Sequence, residues 1–362
     1  MFAAIPAVGV LFLAVGFLPA HTPQPYSFPD LRYFPVMPVN PGNPVTVEGA
    51  ELGRYLFYDP ILSRDSSFSC ASCHKQEFAF SDGGKQFSTG IEGAAMSRNT
   101  PPLFNLAWYR NFFWDGSAAS LEEQVFQPVS AHDEMNLDWE EAERRISSSA
   151  IYRKLFSRAF GEKKIDSVRI AMAIAQFERT LISHNSKYDQ AIRGEAFFTK
   201  DEAEGFEIVN DQTRGDCLHC HTTDADPLGT TGNFSNNGLD EYDDPLGYKD
   251  AGRGKVNGKS EDFGKFRIPS LRNVALTGPY MHDGRFQTLE EVINFYSEGV
   301  HVTANVDSKM EFAYRGGAQL TVEEKRKAIA FLRTLTDENF VRNPEFGKPL
   351  TSRQSPPNPS GK

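Results

Sequence analysis

"CASCH", residues 70–74, returns as "CLHCH", residues 217–221. In each pentapeptide two residues separate the cysteines and a histidine follows at once. This is the spacing of covalent haem c attachment. On one turn of chain, two thiols add to the two vinyl groups of a haem, and the next imidazole reaches the iron from the same face. The chain has 4 cysteines, and these motifs use them all. A redox dithiol would not need the histidines. A zinc site built from the cysteines would leave both histidines unexplained. Cys70, Cys73, Cys217 and Cys220 are therefore read as anchors of two haem c groups, with His74 and His221 as proximal iron ligands.

Helical patterns precede both motifs. "TVEGAELGRYLF" (Thr46–Phe57) leads to the first, and "TKDEAEGFEIV" (Thr199–Val209), with a Thr199/Glu202 capping box, leads to the second. The expected fold is mostly α, with two tandem cytochrome c-like domains over residues 46–190 and 196–340. A second repeat supports an internal duplication. "FWDGSAASLEEQVFQP" (Phe113–Pro128) parallels "MHDGRFQTLEEVINFY" (Met281–Tyr296), and "NTPPLFN" (Asn99–Asn105) parallels "RIPSLRN" (Arg267–Asn273). Gly116 lies 168 residues before Gly284, whereas the cysteines repeat after 147, so the second half carries about 21 extra residues. They fall in the Gly/Asp/Asn-rich stretch from Asp224 to Lys259, which reads as loop. Capping boxes at Ser120/Glu123 and Thr288/Glu291 open a helix in each copy. The copies differ at their ends, because Pro128 corresponds to Tyr296. If both face a haem, proline leaves one iron open and tyrosine ligates the other. From spacing alone, a core tyrosine and a helix-ending proline stand beside that reading.

The length of 362 residues allows two domains, and the formal net charge of −10 argues against nucleic acid and for a basic protein or small neutral substrate. Residues 1–20 are apolar and read as a secretory signal or an uncleaved membrane anchor, which implies a periplasmic or otherwise exported protein. Residues 21–45 form a Pro-rich lead-in, and residues 342–362 read as a disordered tail.

From Pro44 to Asp337 the chain resembles the bacterial dihaem cytochrome c peroxidase family, which includes MauG. The resemblance rests on "ELGRYLFYDPILS", the two haem motifs, "SRNTPPLFN", "FWDG", "EMN", "FRIPSLRNVALTGPYMHDG" and "KAIAFLRTLTD", in that order. It implies that Trp114 lies between the haems, and that Gln124, Pro128 and Glu134 form the distal pocket of the peroxidatic haem. Tyr296 occupies the position of an axial methionine in the peroxidases and an axial tyrosine in MauG. Asn99, Thr277 and Pro279 match the ligands of a calcium ion between the haem domains. Many family peroxidases block the peroxidatic iron with a histidine in the loop after "STG". Here the loop is "STGIEGAAMSRN", the matching residue is Ile91, and the site is expected to be open in the oxidised protein.

The resemblance implies a peroxidase that reduces H2O2 to water with electrons from a small c-type cytochrome or cupredoxin. Glu134 is the candidate acid/base, because a carboxyl in an apolar pocket has a raised pKa. The alternatives are a MauG-like maturase that oxidises side chains of a partner protein, and a dihaem electron carrier without catalysis. Assembly as a homodimer is left open.

Overall fold

The protein is described here by a computed structural model over residues 21–350, apart from 223–226, 243, 245 and 246. The apolar leader and residues 351–362 lie outside the described residues. No helix among the described residues is long and apolar enough to cross a membrane.

The fold is mostly α, as expected, with almost no sheet. In chain order the helices are α1 (Val47–Tyr58), α2 (Cys70–Cys73), α3 (Leu121–Ser130), α4 (Trp139–Ser148), α5 (Ala150–Phe160), α6 (Ser167–Thr180), α7 (Lys187–Ile192), α8 (Lys200–Asn210), α9 (Arg253–Asn257), α10 (Leu289–Glu298), α11 (Val322–Arg333) and α12 (Glu338–Arg342). Two short antiparallel strands, β1 (Phe234–Ser235) and β2 (Phe266–Arg267), complete it.

Two helix crossings organise the core. Thr46 caps α1 by accepting the Gly49 N–H, and α1 buries Leu52, Leu56 and Phe57 against α6. Each fully buried Leu contributes about 1.5–3 kcal/mol. The approach is close enough that only glycine fits at the contact. A β-carbon on Gly53 would stand 1.9 Å from the Ala173 carbonyl oxygen. The α8–α11 crossing uses the same device, since a β-carbon on Gly205 would stand 2.0 Å from the Lys327 carbonyl. Phe177 covers the first glycine and Phe331 the second. One turn on, the Thr180 and Thr334 hydroxyls each donate to those phenylalanines' carbonyls at 2.6 Å. Asn105 N–H then donates to Leu181 O, and Asn273 N–H to Leu335 O.

The two crossings meet at a buried polar junction. Asn105 exchanges two hydrogen bonds with the backbone of Ser183, at 2.8 and 3.0 Å. Asn273 donates to the Ser183 hydroxyl and accepts from Asp337 N–H. Asp337 in turn accepts from the amides of His184 and Asn185. Nearby, the fully buried Arg272 forms an ion pair with Asp189 and lies over the Phe34 ring.

Two expectations are corrected. The tail is not loose from Arg342 onward. Phe346 is buried against Phe340, and the carbonyls of Phe346 and Gly347 accept from Tyr58 and Arg54 of α1. A buried ring and side-chain hydrogen bonds from α1 dock a segment that composition reads as disordered. The capping box at Ser120 is also incomplete, because Glu123 accepts from Ala119 N–H, one residue before the cap.

Replacement of Gly53 by Ala must push α1 off α6. We expect a loss of about 1–3 kcal/mol in stability, read by urea unfolding. Unchanged stability would mean that this crossing is not a close contact.

Candidate functional site

Each Cys-x-x-Cys-His motif forms a single turn. His74 N–H donates to Cys70 O at 2.9 Å, and His221 N–H to Cys217 O at 3.0 Å. The imidazoles are then fixed from behind. His74 Nδ1 donates to Phe80 O at 2.7 Å, and His221 Nδ1 to Pro269 O at 2.9 Å. A carbonyl can only accept, so the proton sits on Nδ1 and the lone pair on Nε2 is free for a metal. Burial keeps both rings neutral, lowering the pKa of His74 and pushing that of His221 down to about 4. All four thiols are unbridged and held protonated by burial. Two unbridged thiols and an oriented imidazole in each half fit a c-type haem.

A cavity of about 1060 Å³ adjoins the first motif. Cys70, Cys73 and His74 form one part of its wall, and Trp114, Gln124, Pro128 and Glu134 another. The structure thus brings together every residue assigned to the first pocket. Helix α3 presents Gln124 and Pro128 one turn apart, on one face. Pro128 sits inside the helix and lacks an N–H, so α3 ends shortly after it. The chain then folds back, with Met135 N–H on Pro128 O and Leu137 N–H on Val129 O. Glu134 is carried on this turn. Its carboxyl is pushed up to about 7, first by burial and then by the neighbouring Asp133 charge.

The loop bearing Ile91 braces the same turn. Ile91 N–H donates to Glu134 O at 2.9 Å, and a β-carbon on Gly90 would strike Asp133 O at 1.9 Å. Glu92 ties the loop to Arg64 at 2.8 Å and to His132 at 3.2 Å.

Trp114 sits where residues from both halves converge. Its indole Nε1 donates to Asn99 O at 2.8 Å, and Asn99 N–H donates to His282 O. The His282 ring stacks on Phe266 at 3.7 Å. Arg267 N–H donates to Trp114 O, and Arg253 donates to Gly116 O. Arg98 bridges Asp115 and Asp250 at 2.6 and 2.7 Å. Part of this grip, from Arg253 and Asp250, comes from the stretch read only as extra loop, where no motif singled them out.

At the second motif, Tyr296 projects from α10, partly buried and close enough to Cys217 and Cys220 to be influenced by both. Its hydroxyl accepts from Asn237 Nδ2 at 2.9 Å. Burial pushes the phenol up to about 12, so ionisation here requires a cation at the oxygen. The same Asn237 Nδ2 donates to Met281 Sδ at 3.6 Å.

The residues expected at calcium lie in one neighbourhood. Asn99 Nδ2 donates to the carbonyls of Lys85 and Gln86, and Gly84 N–H donates to Gly278 O, between Thr277 and Pro279. Among the described residues, no group of three or more His, Cys, Asp or Glu is placed to hold a metal. Any ion there would rely on neutral oxygens.

One residue of the first cavity was missed. Glu178 of α6 lines it with its carboxyl buried, and Oε2 has no hydrogen-bond partner. The signal was available, because "FERTL" (Phe177–Leu181) in the first half matches "FLRTL" (Phe331–Leu335) in the second.

Comparison with known proteins agrees with this geometry. A family model described as Di-haem cytochrome c peroxidase matches residues 47–197. The chain is 34% identical over 303 residues to the methylamine utilization protein MauG of Methylophilus methylotrophus, covering 83% of this chain and 85% of that one. It is 31% identical over 347 residues to the cytochrome c551 peroxidase of Nitrosomonas europaea, covering 95% and 92%. A crystal structure of a MauG-like protein associated with microbial copper homeostasis superposes with a TM-score of 0.80 at 35% identity, over 90% of this chain and 99% of that one. With two Cys-x-x-Cys-His turns and relatives of both kinds over most of its length, the chain belongs to the dihaem cytochrome c peroxidase/MauG family.

Proposed function

We propose that the protein is a c-type dihaem peroxidase that reduces H2O2 to water, with electrons from a small c-type cytochrome or cupredoxin. The observation that carries this reading is the first cavity, where His74 faces space bordered by Gln124, Pro128 and Glu134. When bound, the haem on Cys70 and Cys73 supplies the iron at which peroxide is reduced, and the haem on Cys217 and Cys220 supplies an electron relay.

The protein's own groups do the rest. His74 offers Nε2 to the first iron while Phe80 O holds its Nδ1 proton. Pro128 presents no ligating atom. Gln124 can orient peroxide by hydrogen bonds. Glu134 takes a proton from the inner oxygen and returns it to the outer one, for which a carboxyl titrating near neutrality is suited. His221 and Tyr296 hold the second iron, and Trp114 bridges the two sites. A phenolate oxygen stabilises higher iron oxidation states than a thioether does. That property, and the MauG relatives, support the second reading, a maturase that oxidises a partner protein. A non-catalytic electron carrier would not need Gln124 and Glu134 at an open face. We also infer that the halves arose by duplication, that the protein is exported, and that Asn99 with the Thr277 and Pro279 carbonyls binds calcium.

Stopped-flow mixing of the oxidised, haem-loaded protein with one equivalent of H2O2, then with reduced cytochrome c, tests the main reading. Fast spectral change followed by donor oxidation supports the peroxidase. A lasting change with the donor untouched favours the maturase.

Three variants test the assigned roles. The peroxide rate should rise with pH through about 7, as Glu134 becomes the carboxylate that can accept a proton. In Glu134→Gln the rate should fall about 10²–10⁴-fold and lose that pH dependence. Tyr296→Met should raise the second haem's midpoint potential by on the order of 0.1 V or more, measured by redox titration. An unmoved potential would remove Tyr296 as ligand. Ile91→His should make the oxidised protein unreactive to peroxide until it is reduced, and full reactivity without reduction would overturn the open-site assignment.

A further inference from the structure

Glu178 is an exception in its surroundings. It lies one turn after Ile174 on α6, and both line the first cavity beside the apolar Leu103, Leu106, Leu121 and Val125. The residue is 4% exposed, and its Oε2 has no hydrogen-bond partner. In the second half the same position is Leu332, set between the equivalent Phe331 and Arg333. Leucine therefore meets the structural needs of this site, and a carboxyl there costs several kcal/mol of desolvation if charged. An unpaired acid in an apolar wall stays neutral until a positive charge appears beside it.

The neighbouring charges supply no partner. The adjacent Arg179 is committed to Glu122 of α3 through two hydrogen bonds, at 2.7 and 2.9 Å. On α1, Glu48 is held by His21, Glu51 by Arg158, Arg54 by the 344 and 347 carbonyls, and the Tyr58 hydroxyl by Phe346 O. On α4, Glu141 is paired with Arg144 and Arg145, and Glu143 with Lys164. From α2, Cys70 is close enough to feel the Glu178 charge, and Glu134 acts on that same thiol. Glu178 and Glu134 thus both lie within electrostatic range of the atom that anchors the first haem.

We propose that Glu178 is a redox-linked proton site of the first haem. When a one-electron oxidant takes an electron from the ferrous haem, giving ferric iron, Glu178 releases one proton to solvent. When the electron returns, Glu178 takes one proton back. The net charge of the site is then nearly the same in both states, which is the arrangement a buried, low-dielectric cavity favours. The proposal rests on the haem reading of Cys70, Cys73 and His74.

The sign follows from linkage. Ferric iron carries the extra positive charge, so it lowers the acid's pKa relative to the ferrous form. Between the two pKa values the midpoint potential must fall as pH rises, and outside them this group leaves it flat. Burial sets the window, pushing Glu178 up to about 8, above Glu134 in the same cavity.

The test is a spectroelectrochemical titration of the first haem from pH 6 to pH 10, in the full haem-loaded protein. Glu134→Gln serves as the background, so that the neighbouring acid is silent. Glu178→Gln and Glu178→Leu are added to it, the second copying Leu332. We expect a potential that falls with pH in the background protein and loses that alkaline component in both double variants. Titration of the haem's own carboxylates is common to all three proteins and cancels in the difference. The redox-difference infrared spectrum should also lose one carboxylic-acid carbonyl band when Glu178 is replaced. An unchanged pH dependence, or an unchanged infrared spectrum, overturns the proposal. A protein whose mass shows no covalent haem at Cys70 and Cys73 overturns the haem reading instead, and the proposal with it.

Discussion

The structure depends on the buried junction of Asn105, Ser183, Asn273 and Asp337. Buried polar groups must find partners or cost about 1–3 kcal/mol each. Here Asn105 is satisfied by Ser183 within the first half and Asn273 by Asp337 within the second, while Ser183 bonds to both Asn273 and Asp337 across the divide, so the hydrogen bonds specify one relative placement. Apolar packing alone would tolerate sliding. The placement matters because the first cavity is walled from both sides. His74, Gln124 and Glu134 come from the first half, and Arg267, His282 and Arg285 from the second. Trp114 is held by an indole bond to Asn99 and by the Arg267 N–H on its carbonyl, and its neighbours Phe113 and Gly116 by Arg267 and Arg253.

Within that frame the two haem sites diverge by few residues. The backing of the proximal histidines is the same, a backbone carbonyl on Nδ1. The close helix crossings are the same, down to a glycine under a phenylalanine. The differences are polar. Pro128 stands where the other copy has Tyr296, and Glu178 where it has Leu332. One cavity therefore holds two acids of raised pKa, Glu134 and Glu178. The other holds a partly buried phenol that only a cation would ionise.

Much of this was legible in the residues. Cys-x-x-Cys-His is a short-range pattern, in which covalent attachment and ligation are both met within one turn, so spacing alone declares it. The helices before each motif were marked by their caps. The parallel of Asn105 with Asn273 was visible as a repeat, and both reach the junction at Ser183. Gln124 and Pro128, four apart on a helix, had to share a face. The family pattern placed Glu134 beside them.

What the sequence could not determine depends on contacts between residues distant along the chain. The docking of the tail through Phe346 depends on the Tyr58 hydroxyl of α1, 288 residues earlier. The hold of the loop after the second motif on the segment around Trp114 depends on Arg253 meeting Gly116 and Asp250 meeting Arg98. The state of Glu178 depends on burial without a partner, and neither burial nor the absence of a cation is written in "FERTL". Local sequence fixes groups whose partners lie within a turn or a helix. The protonation state of a buried acid is set by everything packed around it, and only the tertiary structure determines what that is.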